Sequence, residues 1–124
     1  MEYVIGKPEV VTFHAAEYDA NSDTATKPGK KFDPVVRIHL QIRGVSGEVP
    51  TGSEVQLTYE AVDGTLAGET LPLATYEETD PISNHPTTVS AGQKAKGEVF
   101  FESGDGSGKV IAEAAGRRQV IWRP

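Results

Sequence analysis

Cysteine is absent from the 124 residues, which removes disulfides, thiolate metal sites and a cysteine nucleophile. Methionine occurs once, at Met1, so a methionine-rich copper carrier is excluded as well. No stretch approaches the run of about 18 apolar residues that a membrane-crossing helix needs. Positive charge is also scarce: 12 Lys and Arg against 18 Asp and Glu leave a formal net charge of −6. A surface of that sign does not neutralise phosphates, which argues against nucleic acid and anionic membrane as partners. The N-terminal Met1-Glu-Tyr-Val-Ile-Gly-Lys-Pro8 lacks the basic and apolar regions of a signal peptide. The chain is therefore either cytosolic or a mature form to which Met1 was added.

What is present is β-pattern. Val36, Ile38, Leu40 and Ile42 alternate with Arg37, His39, Gln41 and Arg43, the two-residue period of a strand with one face in a core. Val55, Leu57, Tyr59 and Ala61 repeat it, and Asp63-Gly64 follows as a hairpin turn. Val99 and Phe101 alternate with Glu98, Phe100 and Glu102 before the Gly104-Asp-Gly-Ser-Gly108 run turns the chain, and Gln119-Val-Ile-Trp122 reads as a terminal strand. Val10 to Tyr18 reads as the first strand, residues 20–34 as a polar loop, and Glu69 to Tyr76 as a short edge strand limited by Pro72. Ala112-Glu-Ala-Ala is too short before Gly116 to nucleate a helix. About seven to eight short strands, with 13 Gly and 8 Pro in the turns, predict one all-β domain over residues 1–124, an antiparallel immunoglobulin-like β-sandwich. Val36, Ile38, Leu40, Ile42, Val55, Leu57, Tyr59, Val99, Phe101 and Val120 are the expected core, with Trp122 packed on it.

No catalytic constellation assembles, so neither an enzyme nor a cofactor is expected. His14, His39 and His85 lie far apart and none has a second ligand at metal-binding spacing, so no metal site is expected. Gly104 to Lys109 is not a phosphate loop: Ser103 stands where its first Gly belongs and Val110 where Ser or Thr should ligate magnesium. A hairpin turn is the expectation there. Glu77, Glu78 and Asp80 are exposed acids with no feature that would split their pKa values into acid and base roles. The connection over 74–93 is long for a compact domain and carries Pro81 and Pro86. It is the candidate protein-contact loop, with Tyr76, Ile82 and His85 as contact groups; the competing reading packs Tyr76 and Ile82 onto the sandwich.

The Pro28-Gly29 loop, Ile42-Arg43-Gly44, Asp63-Gly64, Gly92 to Gly97-x-Val99-x-Phe101 and the terminal Val120-Ile-Trp-x-Pro124 follow one another in an order that resembles the mycobacterial secreted immunogenic (immunoprotective extracellular) protein family. The likeness spans most of the chain. Its strongest parts are Ile-Arg-Gly and Ile-Trp-x-Pro. It implies an immunoglobulin-like sandwich, export from an actinobacterium and a signal peptide missing from this mature form, with no catalytic residues to carry over. The function it implies is that of a secreted, non-catalytic antigen binding a host or cell-surface protein. A sandwich module of a phage or cell-envelope assembly is the alternative, which a native start at Met1 would favour.

Overall fold

The computed structural model describes residues 2–21, 23, 24, 26–44, 48–50, 55–72, 74–85, 88–114 and 116–124. Among them, twelve strands run in the order β1 (Glu2–Ile5), β2 (Glu9–Val11), β3 (His14–Glu17), β4 (Lys27–Lys31), β5 (Val35–Arg43), β6 (Glu48–Pro50), β7 (Gln56–Glu60), β8 (Leu66–Thr70), β9 (Thr88–Ser90), β10 (Lys94–Phe101), β11 (Lys109–Ala114) and β12 (Arg117–Trp122). A 3-10 turn, Ile82–Asn84, precedes β9. The fold is all-β and its ladders are antiparallel. The principal sheet has 8 strands, in the order β1-β5-β10-β8-β7-β11-β12 with β2 also on β5. β3 pairs with β4, and β6 with β9, as two small ribbons.

That sheet folds over itself at β8. Thr58, Tyr59 and Glu60 of β7 face Gly68, Ala67 and Leu66, while Thr70 and Glu69 face Phe100 and Phe101 of β10. One strand thus serves both layers, the device by which sandwiches make a corner. β1, β2, β5 and β10 form one layer and β7, β11 and β12 the other. Between them lie Val36, Ile38, Leu40, Ile42, Val99 and Phe101 facing Val55, Leu57, Tyr59, Val110 and Ala112. The alternation in β5, β7 and β10 has the consequence expected of it: nine of the ten anticipated core residues are buried.

Val120 is the exception. The β11–β12 register shifts between Val110 and Ile111, so that Trp122 faces Val110 while Val120 faces Ile111, leaving Ile121 as the extra residue of a bulge. Trp122 and Ile121 accordingly pack against the core. Val120 is only half-buried, on the face with Ile111. Sequence alternation alone does not reveal an inserted residue.

Other boundaries move for similar reasons. Residues 10–18 form two strands, not one, because Phe13 turns its ring onto Phe100 with centroids 5.5 Å apart, edge to face. Phe100, which alternation puts on the solvent side, is thereby only 1% exposed. Lys27-Pro-Gly-Lys-Lys31 is strand β4 and not loop; Pro28 faces Ala16 on a two-stranded ribbon, where a missing N–H is tolerated. The strand anticipated at 69–76 instead ends at Thr70, two residues before Pro72.

The 104–108 run is not a hairpin, since β10 and β11 do not pair; it carries the chain from one layer to the other. Tyr59 anchors it. Its hydroxyl donates to the Asp105 carbonyl and accepts the Gly108 N–H at 2.6 Å, and the Asp105 carboxylate accepts the N–H groups of Val62 and Ser107 at 2.8 and 2.9 Å. Burial raises the Tyr59 phenol above its ordinary range, so it remains the protonated donor this arrangement needs. Tyr59→Phe keeps the ring, stacked on Phe101 at 5.7 Å, but leaves a buried N–H and carbonyl without their partner. The expected loss is about 1–3 kcal/mol in chemical denaturation; a loss under about 0.3 kcal/mol would remove the anchor role.

Candidate functional site

Strand β8 meets β10 only at Phe100 and Phe101, so the β10 edge from Lys94 to Val99 needs another cover. The 80–84 segment supplies it. Pro81 bridges Glu98, the Glu98 N–H donates to the Asp80 carbonyl at 2.7 Å, and the Asp80 N–H donates to the Glu98 carboxylate at 2.6 Å. Ile82 then drops into the core at 4% exposure. Gly97 makes room for it: a Cβ there would stand 2.6 Å from the Ile82 nitrogen and nearer still to its Cα. Ile82 is therefore packing and not a contact group, the correction that edge protection imposes on the contact-loop expectation.

His85 ends this segment. Its Nε2 lies 2.8 Å from Asp80 Oδ1, and its N–H donates to the Ile82 carbonyl, so its ring braces the turn that seats Ile82. Pro86 and Thr87 lie outside the described residues. The first part of the connection is held separately, against β3: Ala15 bridges Thr75, Ala16 N–H donates to the Ala74 carbonyl at 2.9 Å, and Tyr76 N–H donates to the His14 carbonyl at 2.8 Å. Glu77 completes the clamp. One carboxylate oxygen accepts the His14 N–H at 2.9 Å while the other lies 2.5 Å from His14 Nδ1. Tyr76, backed by this clamp, remains 42% exposed.

The three histidines do not converge. His14 sits against Glu77, His85 against Asp80, and His39 lies 3.5 Å from Glu9, each with its own carboxylate.

His39 and Asp80 border one groove, of about 550 Å³, with Val4, Ile5 and Leu40; another lies apart from the histidines. Where β8 leaves β10, the Phe32-Asp33-Pro34 link folds across and encloses a groove of about 610 Å³. It is lined by the buried Phe13, by Phe32, Pro34, Val35 and Pro72, and by the acidic residues Asp33 and Glu102. Pro72 also lines a shallower groove of about 350 Å³ that runs past Leu71 to Tyr76 and Glu78. Phe32, Leu71 and Tyr76 are 44%, 47% and 42% exposed, so the two grooves together carry an open aromatic and aliphatic strip. Tyr76 is the point at which this strip meets the candidate loop read from the sequence. Phe32 and Leu71 escaped that reading because one lay in an apparent polar loop and the other in an apparent edge strand; a large apolar residue one or two positions before a proline was the available signal. No family model matches the chain, and no curated protein or solved structure matches it either.

Ile82→Ala should cost about 2–5 kcal/mol in chemical denaturation, whereas Tyr76→Ser should stay within about 0.5 kcal/mol of the parent. Equal losses at both positions would contradict the division drawn between them. The Glu77 carboxyl is held below its ordinary range, chiefly by the His14 N–H. Its contribution is present above the ordinary carboxylate value and lost as pH falls through the lower folded value. Stability should therefore fall on acidification below about pH 4.5, and Glu77→Gln should flatten that part of the pH profile in thermal melts. An unchanged acid limb in Glu77→Gln would assign the dependence to other groups.

Proposed function

We propose that this protein is a secreted, non-catalytic β-sandwich that binds a protein of a host or of a cell surface through the strip formed by Phe32, Leu71, Pro72 and Tyr76. The observation that carries the reading is the exposure of three large apolar side chains along two adjoining grooves on a chain of net charge −6. Single exposed apolar residues are ordinary, but several that line two grooves sharing Pro72 suit a protein contact. Secretion and membership of the mycobacterial immunogenic family are proposed on the Ile42-Arg43-Gly44 and Ile121-Trp122-Arg123-Pro124 likeness. The second reading, an accessory module of a phage or envelope assembly, is favoured by β12, which ends the sheet path with Arg117, Arg118 and Gln119 exposed on an edge strand.

Screening the purified chain against an array of host and bacterial surface ectodomains should yield a specific partner. Replacing Phe32, Leu71 and Tyr76 together by Ser should weaken that partner by at least about tenfold while moving the thermal midpoint little, as expected for removing central apolar contacts. Binding untouched by the triple substitution would move the contact surface elsewhere. Fractionation of the producing cells separates the two readings: recovery from culture filtrate supports the secreted protein, and co-sedimentation with particles or envelope supports the assembly module.

A further inference from the structure

We infer that the groove at Phe32 takes an extended, cationic segment of a partner protein, with Arg or Lys reaching Asp33 and Glu102 and apolar neighbours lying on Phe13, Phe32 and Pro72. This rests on the docking reading above and adds the chemistry of the occupant. The buried part of the lining is apolar and fixed: Phe13 is 5% exposed and held edge-on against the buried Phe100. Pro34 and Pro72 stiffen the lining, which reduces the ordering that a ligand must impose. Phe32 is 44% exposed and lines the groove together with Asp33, a pairing of aromatic and carboxylate suited to a guanidinium or ammonium group.

The charges point the same way. Glu2, Glu9, Glu17, Glu60 and Glu98 each lie against an arginine or lysine of the protein itself. Asp33 and Glu102 have no ion-pair partner among the described residues, and no basic side chain among those residues lines the groove. Two uncompensated carboxylates in an otherwise apolar lining repel an acidic partner and attract a side chain with a long apolar stem and a cationic tip. The strip continues over Pro72 to Leu71 and Tyr76 with Glu78 at its far end, also without an ion pair among the described residues.

The test is selection of a displayed random dodecapeptide library on the full chain, followed by fluorescence anisotropy of the enriched peptides. Enriched peptides should carry Arg or Lys beside Leu, Pro or an aromatic residue and should lose affinity for Phe32→Ser. For the double variant Asp33→Asn/Glu102→Gln they should bind about three- to tenfold more weakly, two exposed charge pairs being worth up to about 1 kcal/mol each. That difference should largely vanish at about 1 M salt, where the screening length falls to about 3 Å. Both substitutions are at exposed sites, and an unchanged thermal midpoint confirms that the comparison is of folded protein. Enriched peptides that lack a cationic residue, or that bind the double variant as tightly as the parent, overturn this inference and leave the docking reading standing. Absence of any enrichment overturns both. Concentration-dependent self-association that Phe32→Ser abolishes would assign the groove to a second copy and overturn the inference.

Discussion

Strand β8 holds the two layers in one sheet, and its shortness governs much of what surrounds it. Leu66, Ala67 and Gly68 pair with β7, and only Glu69 and Thr70 pair with β10. Backbone groups left along the β10 edge must find partners or water. The 80–84 segment provides partners for part of that edge, and in doing so it places Ile82 against Gly97. At the other side of the same departure, Thr70 and Pro72 diverge from β10 and the space between them and the Phe32-Asp33-Pro34 link becomes the groove. Core plug and groove are two consequences of one strand changing partners.

Polar groups sort into those that hold the fold and those that remain available. Tyr59, Asp105, Glu77 and Glu98 each join segments distant in sequence, through hydrogen bonds to backbone groups that would otherwise be unsatisfied. Arg37 lies between Glu9 and Glu98, at 2.8 and 3.4 Å, tying β2, β5 and β10 across the outer face of one layer. Such partly exposed ion pairs contribute little stability individually, but they occupy the charges involved. Asp33, Glu78 and Glu102 have no such engagement among the described residues. They stand beside the exposed apolar strip, and the electrostatic character of that surface is theirs.

The residues behind the family resemblance have structural duties of this kind. Ile42 faces the core, Arg43 meets Glu2 at 3.1 Å, and Gly44 passes so close to Ser90 that a Cβ would collide with its carbonyl carbon. Ile121 and Trp122 pack on the core across the β12 bulge. Motifs of this sort report how a sandwich is built. They say little about what it binds, because the strip that includes Phe32, Leu71 and Tyr76 shares none of these residues.

Alternation in β5, β7 and β10 determined the class of fold, the hairpin at Asp63-Gly64 and nearly the whole core, since a two-residue period with one apolar face leaves a strand only one favourable way to be buried. Composition alone removed thiol chemistry and disfavoured phosphate ligands. Tertiary structure decided the remainder. Whether residues 27–31 pair, where β8 ends, that a bulge inverts Val120, and that Phe100 is covered by Phe13 each depend on what another segment places alongside. Ile82 and Tyr76 have similar local surroundings in sequence, an apolar residue in a long proline-containing connection. Only the uncovered edge of β10 draws one into the core and leaves the other at the surface, because an unpaired edge is satisfied by backbone that comes from far along the chain.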